Sequence, residues 1–411
     1  MNTSNPLFSI LKNKDFSLFL VGKLFFTLAL QMQGTIVGMQ VYDLTKDELA
    51  LGMIGGAEAI PAIILSLFGG WLADHFNRRK ILIVALIALS VLSFALFSFS
   101  LNIDYVVNQW GVYPIYVIIF CTGIARAFLG PAQFALLPQT VGSADLYKTA
   151  ISWNSVLWQS SMVAGPPIGA LIYAHVGVQE SYMVSLILII LSVFMFVFMA
   201  HKPLPNIEKK DSIITSLKEG LNFVFKKEEI IAAMSLDMLA VLFGGAVALM
   251  PAFCDKVYHV NAEGVGLLRS ATALGSVPMM MLIAYIPLQK NVGFKMLFCV
   301  FCYALCMTAF AFNTSYILGV VILAISGAFD AVSVVIRQTL LQTLTPENMK
   351  GRVSAVSSIF VGSSNELGEV ESGVAAKIFG LQKSVFVGSL ISQAVVIFMF
   401  FRAKKLRKLD F

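Results

Sequence analysis

The sequence predicts an all-α membrane protein of twelve transmembrane helices arranged as two pseudo-symmetric six-helix bundles. Three observations predict it. Of the 411 residues, 58% are hydrophobic and only 13% charged, about half the charged share of a soluble domain. Apolar runs long enough to cross a bilayer recur along the whole chain. Lysine and arginine fall almost entirely in alternate connections between those runs.

The runs lie at 16–43, 51–74, 79–101, 112–140, 148–175 and 180–201, then at 229–258, 263–288, 292–313, 315–344, 351–380 and 383–403. Hydrocarbon offers backbone groups no water, and runs this long and uniformly apolar do not suit barrel strands, so they are read as helices. The domains expected are 1–201, a cytoplasmic amphipathic linker at 202–228, and 229–411 with its basic tail. The linker sets Lys209, Lys210, Asp211, Lys218, Glu219, Lys226 and Lys227 around a stripe of Ile213, Ile214, Leu217, Leu221 and Val224. That pattern suits a helix lying on the membrane surface.

Positive charge orients the chain. With the N-terminus inside, the inner segments hold Lys12, Lys14, Arg78, Arg79, Lys80, Lys148, Lys290, Lys295, Lys350, Arg352 and the tail from Arg402 to Lys408. The outer ones hold only Lys46, Lys256 and Lys383. Both termini are therefore expected in the cytoplasm of a bacterium, with the protein multi-pass in the inner membrane. This bias accounts for the net charge of +6 without nucleic acid. The polar start leads straight into the first run with no cleavage site, so that run is read as a retained span. Cys299, Cys302 and Cys306 share a helical face, but no histidine or carboxylate stands beside them. They read as small residues at helix contacts, and no metal or cofactor is expected.

The halves resemble each other weakly. An offset of 204 places Ala135-Leu136-Leu137 on Thr339-Leu340-Leu341, Gly169 on Gly373 and Arg126 on Asp330. An offset of 214 sets Gly52 on Gly266 and Lys23 on Asp237. Six and six spans with internal similarity suggest a duplicated transporter.

Charges at membrane depth cost roughly 2.5–3.5 kcal/mol each on insertion scales, so they face water paths or partners. By depth, Asp237, Arg337 and Lys23 match one another, while Arg126, Asp330 and Glu366 lie near the midplane with Glu58 close by. Glu366 and Glu369 are about 60° apart on one helix and share a face, whereas Glu371 points away. Asp330, Glu366, Glu369, Arg126, Asp237, Arg337 and Glu58 are thus candidates for proton coupling, ion pairs that fix helix packing being the competing reading. In the fifth and first spans, Asn154, Trp158, Gln159 and Gln31 form an aromatic-and-amide set suited to an amphipathic organic substrate. Gly165 and Gly169 flank Pro166, making a small-residue face on a kinked helix.

Between spans two and three the chain reads Gly69-Gly70-Trp71-Leu72-Ala73-Asp74-His75-Phe76-Asn77-Arg78-Arg79-Lys80. This resembles the loop signature of the major facilitator superfamily, Gly-x-x-x-Asp with a basic cluster, and departs from it by Asn77 where glycine is usual. Asparagine tolerates left-handed backbone, so the departure is mild. The resemblance implies that Gly70, Asp74 and Arg78 form a cytoplasmic latch with Arg352. Ala164-Gly165-Pro166-Pro167-Ile168-Gly169 resembles the motif of the superfamily's exporters. Asp330 to Gly373, with Ile336-Arg337-Gln338-Thr339 and Ser364-Asn365-Glu366-Leu367-Gly368-Glu369, is similar to the branch of enterobactin exporters and macrolide-efflux proteins. That implies a proton-coupled exporter, monomeric, of a siderophore- or drug-like molecule. Lysophospholipid transport or uptake symport are the alternatives. A membrane metal hydrolase using Glu366, Glu369 and Glu371 is more distant, and no enzyme motif supports it.

The orientation is open to a direct check. In a cysteine-free background, cysteines at Gly142 and Ile213 are expected to label only from the cytoplasm, and one at Gly177 only from outside. Labelling of position 213 from outside overturns the assignment.

Overall fold

A computed structural model describes residues 10–141, 146–200, 213–286, 288–346 and 349–410. Among them every regular element is helical. The first six long helices are α1 (Lys14–Thr45), α2 (Glu48–His75), α3 (Arg78–Leu101), α4 (Tyr113–Thr140), α5 (Tyr147–His175) and α6 (Val178–Phe198). After a linker helix (Ile213–Lys226) come α7 (Glu228–Gly244 and its continuation), α8 (Ala262–Tyr285), α9 (Val292–Phe312), α10 (Tyr316–Leu344), α11 (Lys350–Phe379) and α12 (Leu381–Arg402). Ten of these are long and apolar enough to cross a membrane by length and composition. The other two, α5 and α11, are long enough but too polar. Their serines, amides and charges must therefore be met by protein rather than lipid.

The chain divides into two compact units, one of Met1–Gln40 with Ile60–Lys210 and one of Val41–Ala59 with Asp211–Phe411. The first unit closes over Phe16, Phe19, Phe26, Leu82, Leu86 and Phe196. Hydrogen bonds cross that apolar packing: Ser93 donates to Gln33 at 2.7 Å, Tyr182 to Gln40 at 2.5 Å, and Ser192 to the Gly22 carbonyl at 2.7 Å. With no water competing, such polar pairs hold helices together where apolar contact gives no preference over lipid.

In the second unit α8 and α10 cross backbone to backbone. A Cβ on Gly275 would lie 1.7 Å from the Ala324 carbonyl oxygen, and one on Gly327 would lie 1.9 Å from that of Thr272. Only hydrogen fits at either position.

Two expectations are corrected here. The span expected at 229–258 is not one continuous α-helix. It stops at Gly244, restarts through a short 3₁₀ turn and Met250–Phe253, and ends in a π-turn at Cys254–Tyr258. The Gly244-Gly245 pair weakens the helix there. The freed carbonyls are taken up by neighbours: Tyr303 of α9 donates to Gly244 at 3.2 Å and Ser372 of α11 to Gly245 at 2.8 Å. The linker helix, expected on the membrane surface, instead packs against protein. Its Val224 is fully buried with Ile230, Ile336 and Val353, and a Cβ on Gly220 would touch the Arg352 backbone at 2.9 Å. Lys209, Lys210 and Asp211 lie outside the described residues.

Gly327→Leu is expected to cost about 1–3 kcal/mol through overpacking. A lower unfolding temperature in detergent reports it. Gly362→Ala, which meets nothing within 4 Å, leaves that temperature unchanged.

Candidate functional site

The buried polar groups fall into separate clusters. The strongest lies inside the second unit. Arg337 of α10 meets Asp237 of α7 at 2.5 Å, with side chains only 6% and 5% exposed. Matching depth in the sequence anticipated this pair. Asp330, two turns before Arg337 on α10, opens with Asp237 and Tyr303 onto a cavity of about 10 Å³, room for about one water. Two carboxylates therefore share one guanidinium and one water-sized space. With both acids ionised the trio carries one net negative charge, and with one proton bound it is neutral. A proton exchanged there is worth a full charge in a medium of low dielectric.

Asp330 thus meets Asp237, not the midplane companion Glu366 expected for it. On α11, Glu369 packs by its Cβ and carboxylate against Gly55 of α2, where an added Cβ would lie 2.6 Å from both. Arg269 of α8 is within electrostatic reach of Glu369. The Glu366 backbone passes the same glycine at 3.0 Å. Glu58 and Glu366 are both half-buried in this unit, and Arg126 is half-buried on α4 in the first.

A further cluster, which no signal along the chain marks, lies where α1 turns into α2. Lys256 in the π-turn of α7 pairs with Glu48 at 2.5 Å, Lys377 at the end of α11 pairs with Asp47 at 3.0 Å, and Tyr42 donates to Asp255 at 3.0 Å. Lys377 is exposed. Beneath these pairs Gly52 and Gly373 cross so closely that a Cβ on Gly373 would lie 2.7 Å from the Gly52 Cα. Every partner here is a short-range polar residue at a helix end, and nothing in one-dimensional spacing links positions 47 and 377.

In the first unit, α5 lies hard against α1. A Cβ on Gly165 would be 2.5 Å from the Gln31 Cβ, and one on Gly169 would be 3.0 Å from the Met32 backbone. Pro166 and Pro167 sit between them inside an unbroken helix. The small-residue face was legible, and its partner was not. About three turns before it, Asn154 accepts from the Lys23 ammonium at 2.6 Å, and the Trp158 ring centre lies 5.9 Å from that nitrogen. Gln159 is half-buried on the same helix.

The loop signature is placed differently in detail. Gly69, not Gly70, approaches a neighbouring backbone: its Cβ would lie 2.4 Å from the Ala127 carbonyl oxygen, whereas Gly70 faces open space. Asn77 is not left-handed. It is extended, and its side chain caps α3 by accepting from the Lys80 amide at 3.1 Å, which supplies an acceptor that glycine lacks. Arg78 donates to the Ala73 carbonyl at 3.1 Å, and Arg79 to that of Phe196 at 2.7 Å. Arg352 pairs with Glu219 of the linker helix. The Asp74 side chain lies outside the described residues.

Known proteins share both sequence and fold. The chain is 26% identical over 333 residues to the enterobactin exporter EntS of Escherichia coli O1:K1 / APEC, covering 80% of this chain and 77% of that protein. It superposes on a POT family transporter solved with 5-aminolevulinic acid at a TM-score of 0.76 and 9% identity, over 95% and 96% of the two chains. A D-xylose–proton symporter gives 0.73 and 15% identity, over 97% and 99%. The model of the Major Facilitator Superfamily matches residues 19–368. Helices, buried charges, loop signature and relatives agree: this multi-pass membrane protein belongs to the major facilitator superfamily of transporters.

Proposed function

We propose that the chain is a proton-coupled exporter of a small amphipathic organic molecule, working by alternating access as a monomer in a bacterial inner membrane with both termini cytoplasmic. The observation that carries the proton is the Asp237–Arg337 pair with Asp330 on the same small cavity. Arg337 holds Asp237 as its counter-ion, so Asp330 is the carboxylate that takes and releases the proton. Glu366, Glu369 and Glu58 of the same unit tune the field around that exchange, and Arg126 is a separate coupling candidate in the first unit. Export is supported by the Gly165–Pro166–Gly169 face on α5 and by similarity to the enterobactin exporter EntS. Asp74, Arg78 and Arg352 we assign to a cytoplasmic latch, with Gly69 rather than Gly70 as its close-approach glycine.

In this orientation the Lys256–Glu48, Lys377–Asp47 and Tyr42–Asp255 cluster lies at the periplasmic ends of its helices and acts as a clasp. Release of cargo outward requires the α1–α2 hairpin to leave α7 and α11, which breaks all three contacts. The exposed Lys377–Asp47 pair is worth only about 0–1 kcal/mol, while Glu48 and Tyr42 are buried and hold their partners more firmly, so the clasp biases a conformation and still opens in every cycle.

Two outcomes are expected. Asp330→Asn abolishes pH-gradient-driven accumulation in everted vesicles while equilibrium substrate binding persists; full gradient-driven transport by this variant rules out the coupling role. Lys256→Met combined with Lys377→Met loosens the clasp. In a cysteine-free background, a cysteine at the buried Leu51 should then react faster with a membrane-impermeant maleimide added outside. Unchanged reactivity leaves the pairs as surface decoration.

A further inference from the structure

Lys23 sits nine residues into α1 from Lys14, roughly 14 Å at 1.5 Å per residue, and is 8% exposed. Its ammonium has three hydrogens to donate. Among the described residues one goes to the Asn154 amide oxygen at 2.6 Å, the Trp158 ring lies 5.9 Å away, and no carboxylate pairs with it. A buried cation without a counter-ion costs on the order of several kcal/mol. One helical turn further, the Thr27 hydroxyl is buried with no hydrogen-bond partner. Another turn on stands Gln31. Spacing of four residues puts all three on one face of α1. Trp158, 41% exposed, is the accessible wall beside this strip.

Every unmet group here is a donor beside an aromatic face, and the charge is positive. We infer that Lys23, Thr27 and Trp158 form a binding site for an organic anion with a flat or aromatic body. Its carboxylate, phenolate or phosphate accepts from the Lys23 ammonium and the Thr27 hydroxyl, and its ring stacks on the Trp158 indole. Asn154 positions the ammonium and holds its charge while the site is empty. The anion's role as cargo rests on the exporter reading. An anionic lipid headgroup offers the same chemistry, so the test separates the two sources.

The measurement is equilibrium binding of radiolabelled 1-naphthoate and of its uncharged isostere 1-naphthamide, using full-length protein in phosphatidylcholine nanodiscs. Naphthoate should bind the tighter. Lys23→Met should weaken naphthoate by roughly tenfold or more and leave naphthamide unchanged, whereas Lys23→Arg should keep the preference. Trp158→Ala should weaken both probes, and Trp158→Phe neither. If Lys23→Met fails to fold, the wild-type comparison of the two probes and the Lys23→Arg variant still decide.

Adding phosphatidylglycerol to the nanodiscs tests the lipid source. Displacement of naphthoate by that lipid, together with loss of retained phosphatidylglycerol in Lys23→Met, keeps the anion site and assigns it to a headgroup. Equal binding of the two probes by the wild type, or an undiminished preference in Lys23→Met, overturns the inference. A chain that prefers naphthoate but shows no gradient-driven transport keeps the site and loses the exporter reading. A chain that exports but shows no preference does the reverse.

Discussion

Hydrocarbon supplies neither hydrogen bonds nor counter-ions, and every unusual feature of this molecule is a local solution to that shortage. Helices settle most backbone groups within themselves. Where a helix is interrupted, the bill falls on a neighbour: α7 breaks at Gly244, and Tyr303 and Ser372 take up the carbonyls released. Where a charge is buried, a partner is brought to it, as Arg337 is to Asp237.

The same constraint explains where function concentrates. Helices α5 and α11 are too polar to be stable against lipid alone, so each is held by packing that leaves no alternative. Gly165 and Gly169 let α5 lie on the α1 backbone, while Gly52, Gly55 and Gly373 let α2 lie on α11. Close backbone approach shortens the reach between side chains, and at the α2–α11 crossing Glu369 packs directly on Gly55. Packing is therefore the condition for the chemistry rather than a background to it.

Two polar groupings differ in a way that suits two tasks. The Asp237–Arg337–Asp330 cluster is deep and closed, so a change in its proton content is felt strongly. The contacts of Glu48, Asp47 and Asp255 lie at helix ends, and of these the Lys377–Asp47 pair is exposed, screened by water and cheap to break. A transporter needs both kinds. In the proposed cycle the deep cluster would store one charge, and the shallow one would yield to a modest bias from substrate or proton.

Much of the architecture was legible in one dimension because hydropathy, charge bias and glycine spacing are local quantities. Twelve long helices, the small-residue face of α5 and the match of Asp237 with Arg337 by depth all follow from them. What spacing along a chain does not encode is which helices become neighbours. Hence Asp330 was matched with Glu366 by depth but meets Asp237, and Gly70 was placed in the latch although Gly69 makes the close backbone approach. Asn77, read as a tolerated left-handed residue, is an extended helix cap. The amphipathic stripe of the linker helix states only that one side is apolar, and a protein surface satisfies it as well as a membrane. Composition thus determined that this chain is a helical membrane protein, and its repeat and motifs that it resembles the transporters. Tertiary structure alone decided which charges are paired and which cation is left facing only an amide and an indole, because partners are chosen by distance in space.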